Sequence, residues 1–455
     1  MTKRICVLGV GKSGVAAARD ALERGDEVTI YAGPSNPSNE RAAKPFIEAG
    51  VDVRFDTEDV QGAYDLTIAC PGIPQTGEFY ANGKAAAAEL ISEPEYAFRL
   101  SPERWIAVTG TNGKTTTTSL ITYILNHCGY DAASCGNIGN TTIGAVEDRK
   151  PDQYLVAEMS SFQIASTAQF SPRSAVLLNI TPDHIAWHGS FDAYAAAKFK
   201  LFDNMGEGQT AVITDETPSG EKLVSSLRER GARVITVGSR RDADCAFPGE
   251  MGELYVRLGS AEIFDVINVH DLQIRGAHNV ENVLAAAAVV LDLGCDPAAV
   301  REALKAFTPL EHRIEPCGEI GGVEFFNDSK GTNVDATLKC LTAFPDRKIV
   351  LLLGGRDKNT DLTELVDSCF DVCSSVVVYG EAAERFEAAF QGSGIPCERV
   401  KGMHEAFDTA CELARPGEAV VLSPACASFD EFSSFEERGK VFKSYVAAKM
   451  IGQDE

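Results

Sequence analysis

Short β-type runs alternate with helical stretches along almost the whole chain of 455 residues. This alternation is typical of parallel strands connected by helices, so we predict an α/β protein. At about 150 residues per domain, the length corresponds to three domains. Breaks in the alternation near residues 100–102 and 308–309 divide the chain into three blocks of this kind.

The charge balance argues against nucleic acid as a partner. The chain has 42 Lys and Arg against 66 Asp and Glu, which gives a formal net charge of −24 at pH 7. Such a surplus repels a phosphate backbone over most of the surface. Hydrophobic residues make up 44% of the chain and charged residues 24%, as in globular proteins that bury cores. We expect a globular protein that binds no nucleic acid, and we expect it to be a monomer.

The cysteines and the hydropathy indicate a cytoplasmic protein. The 13 cysteines are scattered and odd in number, which is typical of a reducing compartment. Cys369 and Cys373 have the i, i+4 spacing of a helix but lack the further ligands that a zinc site needs, so we predict no metal there. The sequence has no apolar run of the ~18 residues that span a membrane, and its N-terminus lacks the pattern of a signal peptide.

A glycine-rich turn at residues 9–14 fits the pattern G-x-G-x-x-G between a strand and a helix. Such a turn lets a pyrophosphate approach the N-terminus of the helix. A dinucleotide site also needs an acidic residue at the end of the next strand, where Tyr31 stands instead. A site for a different phosphorylated ligand is therefore favoured over a dinucleotide site and over a purely structural turn.

A second glycine-rich loop follows the strand predicted at residues 105–109 and precedes a helix. Backbone amides of such a loop point at phosphate oxygens, a lysine neutralises the β- and γ-phosphates, and a threonine hydroxyl can ligate Mg²⁺. The spacing departs from G-x-x-x-x-G-K-[ST], because Val108 stands where the first glycine belongs. We predict a nucleoside triphosphate site rather than a solvated loop, formed by Gly110, Thr111, Asn112, Gly113, Lys114, Thr115 and Thr116.

Polar side chains follow two more predicted strands of the second block. Glu158 follows a strand at residues 154–157, and His184 follows a strand at residues 175–180. Ligands bind outside the carboxyl ends of strands in open α/β sheets, so Glu158 is a candidate Mg²⁺ ligand and His184 a candidate for metal or phosphate. The alternatives are a metal-free N-cap acid and an ordinary surface histidine.

The local sequence supports a binding role for two of three further lysines, but not for the third. Lys198, from its local sequence alone, reads as a lysine on the surface of a helix. Lys330 and Lys358 lie in loops that follow strands of the third block, at residues 327–333 and 354–358. Cations at that edge of a sheet suit anionic ligands, with solvated turn charges as the alternative. The first of these loops leads into a helix whose predicted N-cap is Asn333.

Short motifs at strand and helix ends continue through the second and third blocks. They are residues 110–116, 136–139, 158–163, 181–184, 276–282, 312–313, 327–330, 423–430 and 435–439. With these residues, nearly the whole chain resembles the Mur ligase family. Several of the motifs are shared with folylpolyglutamate synthases, whereas residues 423–439 are similar to the D-glutamate-adding branch. The chain departs from the family at residues 31–35, which lack the Asp-Thr-Arg element that some members have near the uracil.

The resemblance implies an ATP-driven amide ligation. The expected substrates are UDP-N-acetylmuramoyl-L-alanine and D-glutamate, and the expected cofactors are ATP and two Mg²⁺ ions. The carboxylate of the nucleotide sugar would attack the γ-phosphate, and the amine of D-glutamate would displace phosphate from the resulting acyl phosphate. Positioning, Mg²⁺ and cations would then supply most of the catalysis, because the task is to bring anions together.

The resemblance also implies roles for single residues. Lys198 matches a lysine that family members carry as a carbamate, which reverses the interpretation from the helix alone. Asn282 is expected at the adenine, Asp328 at the ribose and Lys358 at the side-chain carboxylate of D-glutamate. The implied catalytic residues are Lys114, His184, Lys198 and Lys330. The implied metal ligands are Thr115, Glu158, His184 and carbamylated Lys198. Further residues expected on the ATP side are Asn279, Asn282, Arg313 and Asp328. Those expected on the substrate side are Ser13, Gly72, Asn137, Thr332, Lys358, Ser428, Phe429 and Phe435.

The predicted fold is α/β with three domains. These are a Rossmann-like domain for the UDP-sugar at residues 1–99, a central P-loop-type ATPase domain at 100–308 and a Rossmann-like domain for the amino acid at 309–455. The alternatives are another Mur ligase, a folylpolyglutamate synthase, a nicotinamide-dependent dehydrogenase that uses residues 9–14, and a non-catalytic nucleotide sensor. A dehydrogenase leaves the lysine loop at residues 110–116 unexplained.

Overall fold

Each of the three sequence blocks builds its own sheet. A computed structural model describes residues 2–214, 220–259 and 262–451, and the strands within those ranges form three sheets. The chain divides into two compact units, Met1–Asp271 with Glu281–Lys305 and Leu272–Val280 with Ala306–Glu455. The first two sheets belong to the first unit and the third sheet to the second unit.

The first sheet is parallel and has a core on each face. Its strands are β1 (Arg4–Leu8), β2 (Glu27–Gly33), β3 (Asp52–Phe55), β4 (Leu66–Ala69) and β5 (Leu90–Ser92), in the order β3-β2-β1-β4-β5. Its helices are α1 (Lys12–Glu23), α2 (Pro37–Glu48), α3 (Glu78–Ala85) and α4 (Glu93–Leu100). In β1, Ile5 and Val7 pack into one core and Cys6 and Leu8 into the other, because successive side chains of a strand point to opposite faces.

The second sheet carries the lysine loop near its middle. Its strands are β6 (Trp105–Thr109), β7 (Ala132–Gly136), β8 (Tyr154–Glu158), β9 (Ser174–Leu177), β10 (Thr210–Thr214), β11 (Arg233–Val237), β12 (Cys245–Pro248), β13 (Glu253–Leu258) and β14 (Glu262–Asn268). They lie in the order β14-β13-β12-β11-β10-β9-β6-β8-β7. The α-helices of this part of the chain are α5 (Lys114–His127), α6 (Thr142–Glu147), α7 (Ser161–Ala165), α8 (Ile185–His188), α9 (Phe191–Phe199), α10 (Gly220–Glu229), α11 (Ala277–Asp292) and α12 (Pro297–Ala306). The strand β6, which leads into the loop, is buried along its whole length.

Two glutamates of α4 join the first sheet to the second within the first unit. The carboxylate of Glu95 accepts hydrogen bonds from the backbone amides of residues 168–170, each at 2.9 Å. Glu93 accepts from Oγ1 of Thr142 at 2.6 Å and from the amide of Ile143 at 2.7 Å. Both carboxylates are buried, and burial raises the pKa of Glu93 to about 7. Because these hydrogen bonds join the two sheets, the first two blocks lie in one compact unit.

The third sheet has an apolar core on each face. Its strands are β15 (Glu315–Ile320), β16 (Val323–Asn327), β17 (Ile349–Gly354), β18 (Cys373–Tyr379), β19 (Cys397–Arg399) and β20 (Ala419–Leu422), in the order β15-β16-β20-β17-β18-β19. Its helices are α13 (Val334–Leu341), α14 (Thr363–Val372), α15 (Ala383–Phe390), α16 (Met403–Leu413) and α17 (Phe435–Ile451). Along β17, Leu351 and Leu353 pack on one face and Val350 and Leu352 on the other.

Most of the predicted strands are present, but two details of the prediction are wrong. The strands Arg4–Leu8 and Trp105–Thr109 have their predicted bounds. The purely parallel pattern fails at two sheet edges, because β12 pairs antiparallel with β13, β13 with β14, and β15 with β16. Cys373 does not share a helix with Cys369, because α14 ends at Val372 and Cys373 begins β18. In the part of the chain that the structure describes, no helix is long and apolar enough to cross a membrane.

Candidate active site

The lysine loop connects β6 to α5 and requires a glycine at its last position. Gly113 caps α5 in the left-handed conformation, with φ of 84°. A Cβ at Gly113 would lie 2.3 Å from Oδ1 of Asn282, so only glycine fits. Asn179 braces the loop, because its side-chain oxygen accepts from the amide of Asn112 at 2.8 Å and its carbonyl from the amide of Thr111 at 2.7 Å. The loop backbone is therefore held in a fixed shape in front of the helix.

Lys114 folds its ammonium back over the loop. The Nζ atom donates to the carbonyl of Gly110 at 2.9 Å and to the carbonyl of Thr111 at 2.7 Å. Thr115 and Thr116 follow in the first turn of α5. A cation, helix-terminal amides and a threonine hydroxyl thus lie within a few residues, which is an arrangement suited to a polyphosphate.

Lys198 is buried beside the same loop. Its side chain on α9 belongs to a residue that is 1% exposed, and its Nζ donates to the carbonyl of Gly110 at 2.7 Å. Burial and the neighbouring Lys114 cation lower the pKa of Lys198 well below its usual value, whereas Asp183 and Glu158 act in the opposite direction. The interpretation of Lys198 as a helix-surface lysine is therefore wrong.

Glu158 offers a buried carboxylate next to the loop. It ends β8, which pairs with β6 so that Glu158 lies opposite Val108. Its Oε1 accepts from Nδ2 of Asn137 at 2.7 Å. Its Oε2 is buried and has no hydrogen-bond partner among the described residues. A buried carboxylate oxygen without a donor is costly unless a cation approaches it, so this oxygen fits a hard divalent ion.

Aromatic rings hold His184 near the loop. His184 adopts a left-handed backbone conformation at the start of α8, with φ of 53°. Its ring lies 4.7 Å from the Phe162 ring and 6.4 Å from the Tyr194 ring. Tyr194 also shares a hydrogen bond of 2.9 Å with Oγ1 of Thr111 and contacts the ammonium of Lys198. The structure therefore brings His184, Lys198 and the loop together through Tyr194.

Sequence reasoning missed two residues of this cluster. Tyr194 links the loop to α9, and His188 packs against Phe162 and Tyr194. Burial, together with the cations of His184 and Lys198, lowers the pKa of His188 to about 4. The sequence signal for the second histidine is its place four residues after His184, at the end of the short helix α8.

The glycine-rich turn of the first sheet lies at the carboxyl end of β1. Ser13 is half-buried in the first turn of α1, and Gly72 is exposed in the turn after β4. The strands β1 and β4 are neighbours, so both turns lie at one edge of the sheet. A Cβ at Gly14 would lie 2.2 Å from the carbonyl oxygen of Gly9, so Gly14 is needed for the close approach of helix and strand.

A groove of about 550 Å³ runs between α1 and the segment that follows β7. Lys12 and Arg19 line its α1 side, and residues 139–141 line the opposite side. Asn137, which hydrogen-bonds Glu158, is exposed in the same segment. The groove therefore connects the start of α1 with the connection from β7 to α6.

In the second unit, three loops follow neighbouring strands of the third sheet. The loop after β16 carries Asp328, Lys330 and Thr332, and its Lys330 ammonium lies 3.8 Å from the centre of the Phe435 ring. The loop after β17 carries Lys358, which is exposed. The loop after β20 carries the other predicted residues, buried Ser428 and Phe429, which is 60% exposed. The structure thus gathers these predicted residues at one edge of this sheet.

Two hydrogen bonds fix the carboxylate of Asp328 at this edge of the third sheet. Its carboxylate accepts from Oγ of Ser423 at 2.7 Å and from the amide of Ile314 at 3.3 Å. Burial raises the pKa of Asp328 to about 6, against the hydrogen bond from Ser423 and the charge of the nearby Arg313. Asn279 lies in the same unit, where its Nδ2 donates to the carbonyl of Arg275 at 2.6 Å.

Asn282 lies in the first unit, against the lysine loop. Its side chain is 3% exposed, and its Oδ1 accepts from Oγ1 of Thr117 at 3.2 Å. The two asparagines that the motif at residues 276–282 predicted for the ATP side therefore belong to different compact units of the chain.

Two family models and a set of relatives match the chain. The family models described as Mur ligase middle domain and as Mur ligase, glutamate ligase domain match residues 108–290 and 312–426. The chain is similar to the UDP-N-acetylmuramoylalanine–D-glutamate ligase of Geobacillus kaustophilus, with 37% identity over 98% of this chain and 97% of the relative. The enzyme of the same name from Acidobacterium capsulatum is 37% identical over 98% of this chain and 96% of its own.

The fold is also similar to solved structures at low identity. The UDP-N-acetylmuramate-alanine ligase of Thermotoga maritima has a TM-score of 0.60 at 19% identity, covering 98% of this chain and 99% of its own. A folylpolyglutamate synthase of Mycobacterium tuberculosis has a TM-score of 0.58 at 17% identity, covering 77% of this chain and 94% of its own. Because the more similar relatives match over nearly their full length, this chain belongs to the Mur ligase family.

Proposed function

We propose that the chain is an ATP-dependent ligase that adds D-glutamate to UDP-N-acetylmuramoyl-L-alanine, a cytoplasmic step of peptidoglycan synthesis. The observation that carries the proposal is the similarity, over nearly the full length, to relatives named for this reaction. The lysine loop with Lys114, Lys198 and Glu158 around it supports the ATP-dependent part of the proposal.

The proposed reaction joins two anionic substrates at the expense of ATP. An oxygen of the alanyl carboxylate attacks the γ-phosphorus and the bond to the β-phosphate oxygen breaks, which gives an acyl phosphate and ADP. The neutral amine of D-glutamate then attacks the acyl carbon, loses a proton, and inorganic phosphate leaves. Negative charge gathers at each step, so the cations Lys114 and Lys330 act by holding and neutralising it.

Mg²⁺ fits the residues around Glu158. The Oε2 of Glu158, which has no hydrogen-bond partner in the described part of the chain, is a hard oxygen donor, and the Thr115 hydroxyl lies in the first turn of the adjoining helix. We assign Thr115 and Glu158 to one ion, and His184 with carbamylated Lys198 to a second. Bound Mg²⁺ supplies charge neutralisation at the phosphoryl oxygens.

The surroundings of Lys198 favour carbamylation. A carbamate forms when a neutral amine attacks CO₂ and releases a proton, so a lysine must lose its charge first. The lowered pKa of Lys198 favours the neutral amine relative to the ammonium. A carbamate in the same place would be an anion beside the Lys114 cation, whereas an ammonium there would repel it.

The remaining site residues divide among the three sheets. For the nucleotide sugar we assign Ser13 and Gly72 in a domain of residues 1–99, with the groove beside α1 on the path toward Asn137. For ATP we assign Gly110, Thr111, Asn112, Gly113, Lys114, Thr115, Thr116 and Asn282 in the first unit, and Asn279, Arg313 and Asp328 in the second unit. For D-glutamate we assign Thr332, Lys358, Ser428, Phe429 and Phe435.

These assignments correspond to three domains, at residues 1–99, 100–308 and 309–455. The first and third are proposed to be Rossmann-like, and the second is a P-loop-type ATPase domain. Support comes from the three separate sheets and from glycine-rich turns that follow β1 and β6 at the start of their helices. We further propose that the enzyme acts as a monomer.

Release of inorganic phosphate tests the proposed function. The purified protein is given ATP, Mg²⁺ and UDP-N-acetylmuramoyl-L-alanine with D-glutamate, L-glutamate, L-lysine or diaminopimelate in turn, and a folate with L-glutamate is a separate arm. We expect release that depends on both the nucleotide sugar and D-glutamate. Release that depends instead on lysine, diaminopimelate or the folate would identify another branch of this group of ligases.

A further inference from the structure

A guanidinium group is fully buried under the loops of the third sheet. Arg438 lies on α17 and is 0% exposed. Its Nε donates to Oγ of Ser329 at 2.9 Å, and one terminal nitrogen donates to the carbonyls of Ser329 at 2.9 Å and Cys426 at 3.1 Å. The other terminal nitrogen donates to the carbonyl of Gly354 at 3.4 Å. Within the described ranges, none of its hydrogen-bond or ion-pair partners is a carboxylate.

The three carbonyls lie where three different loops begin. Ser329 follows β16, Gly354 ends β17 and Cys426 follows β20, and these strands are neighbours in the order β16-β20-β17. A fully buried arginine is expensive to desolvate and is usually paired with an acid. Here the acceptors are three backbone carbonyls and the Ser329 hydroxyl, so the guanidinium binds neutral groups of the loops and not a charged partner.

Each of these loops carries residues that we assign to D-glutamate. Thr332 is three positions after Ser329, Lys358 four after Gly354 and Ser428 two after Cys426. The loops also contact each other directly, because the amide of Arg356 donates to the carbonyl of Ala427 at 2.8 Å. The guanidinium of Arg438 thus hydrogen-bonds to a residue at the start of each of the three loops.

We propose that Arg438 is a positioning residue for the amino-acid substrate, which holds the loops after β16, β17 and β20 at the spacing that D-glutamate requires. This inference rests on the proposed function. The planar guanidinium directs several donors along fixed directions, and a lysine ammonium at the same place cannot reach three separated carbonyls at once. A misplaced loop weakens the contacts of its substrate residue without removing that residue.

The test compares two variants in the full-length enzyme. Arg438→Lys keeps the charge but loses the fork of donors. Phe442→Leu changes another fully buried side chain one turn further along α17, in an apolar core, and serves as the control for disturbed packing of the helix. The KM values for D-glutamate, ATP and UDP-N-acetylmuramoyl-L-alanine are measured for both, together with Tm.

For Arg438→Lys we expect the KM for D-glutamate to rise roughly tenfold or more, because several charge-assisted hydrogen bonds are lost. The KM for the nucleotide sugar should stay within about twofold of the unchanged enzyme. Phe442→Leu should lower Tm without this selective rise in KM. An unchanged KM for D-glutamate in Arg438→Lys, or the same rise in Phe442→Leu at an equal loss of Tm, would overturn the inference.

A milder variant decides the question if Arg438→Lys does not fold. Ser329→Ala removes the acceptor of Nε and leaves the arginine in place, and it should raise the KM for D-glutamate about threefold. An unchanged KM in that variant would overturn the inference. If the unchanged enzyme shows no phosphate release that depends on D-glutamate, the proposed function fails instead, and the two failures are thereby distinguished.

Discussion

The ammonium of Lys198 and the carbonyl of Gly110, the first residue of the lysine loop, are hydrogen-bonded at 2.7 Å across 88 positions of the chain. Lys114 donates to the same carbonyl at 2.9 Å. Two amines thus share one acceptor at the place where the triphosphate is proposed to bind. The pair accounts for part of the low pKa of Lys198, and it makes Lys198 the first residue to test.

Lys198→Ala should lose most of the activity, with kcat lower by roughly 100-fold or more, because a carbamate and a ligand of the second ion disappear together. Acetate or formate should partly restore kcat by entering the space of the lost side chain. Lys200→Ala is the matched control, since Lys200 lies two residues further on and donates to the carbonyl of Ala165. Steady-state phosphate release gives kcat for the unchanged enzyme and for both variants. Full activity of Lys198→Ala would remove the residue from the mechanism.

Glu158→Gln should change the demand for Mg²⁺. The glutamine keeps an oxygen for Nδ2 of Asn137 but replaces the charged oxygen Oε2 by an amide. The Mg²⁺ concentration for half-maximal rate should rise about tenfold or more. Asn137→Ala, which removes the hydrogen bond and keeps the carboxylate, should shift that concentration by only about threefold. Titration of the rate with Mg²⁺ at saturating substrates measures both, and equal shifts would contradict the role of Oε2.

Gly113→Ala should weaken ATP binding. The new Cβ would meet Oδ1 of Asn282 at 2.3 Å and adds strain at a φ of 84°, so the loop or Asn282 must move. Gly129→Ala is the control, because Gly129 has a φ of 86° after the other end of α5 and open space around its Cβ position. We expect the KM for ATP to rise roughly tenfold in the first variant, while backbone strain lowers the free energy of unfolding by about 1 kcal/mol in both. Equal KM values would show that the approach of Asn282 is unimportant.

Glu93→Gln should change how stability depends on pH. The pKa of Glu93 is raised from 4.5 to about 7 by burial, so the folded state binds more protons than the unfolded state between these values. Stability therefore falls as the pH rises from about 4.5 to 7. The glutamine cannot ionise. The Tm of the variant, relative to that of the unchanged protein, should therefore rise as the pH increases through this range. Both tryptophans, Trp105 and Trp187, lie in the first unit, and their fluorescence follows its unfolding.

The control for this pH dependence is a glutamate with the opposite shift. Arg99 lowers the pKa of Glu89 through hydrogen bonds to its carboxylate, so the stability from this pair is present above the usual pKa and is lost as the pH falls below it. The difference in Tm between Glu89→Gln and the unchanged protein should stay flat from about pH 5 to 8. A flat difference for Glu93→Gln over the same range would contradict the raised pKa.

The loops at the strand ends could be predicted from the sequence because their signals are local. Apolar runs followed by glycines and a lysine identify a strand, a tight loop and a helix, and β6 and α5 lie where this pattern predicted them. The N-cap at Asn333 was likewise predicted from a local pattern, and its side chain accepts from the amide of Ala336. Local patterns of this kind need no knowledge of tertiary contacts.

The contacts that complete the site could not be predicted, because they depend on tertiary packing. The alanines around Lys198 gave no sign that its helix would turn the lysine inward against a loop 88 residues away. The antiparallel edge of the second sheet is a different case. Leu254 and Val256 alternate with more exposed residues in β13, so the sequence there has the period of a half-buried strand.

The position of Arg438 in the sequence also determines when, during synthesis, these loops can bind it. The strands β16, β17 and β20 and the loops after them emerge from the ribosome before α17, and Arg438 comes 109 residues after its partner Ser329. Domains generally fold as units during synthesis. The carbonyls of these loops can therefore bind Arg438 only after α17 has been made, and a nascent chain that stops before α17 has the strands of this sheet without that donor.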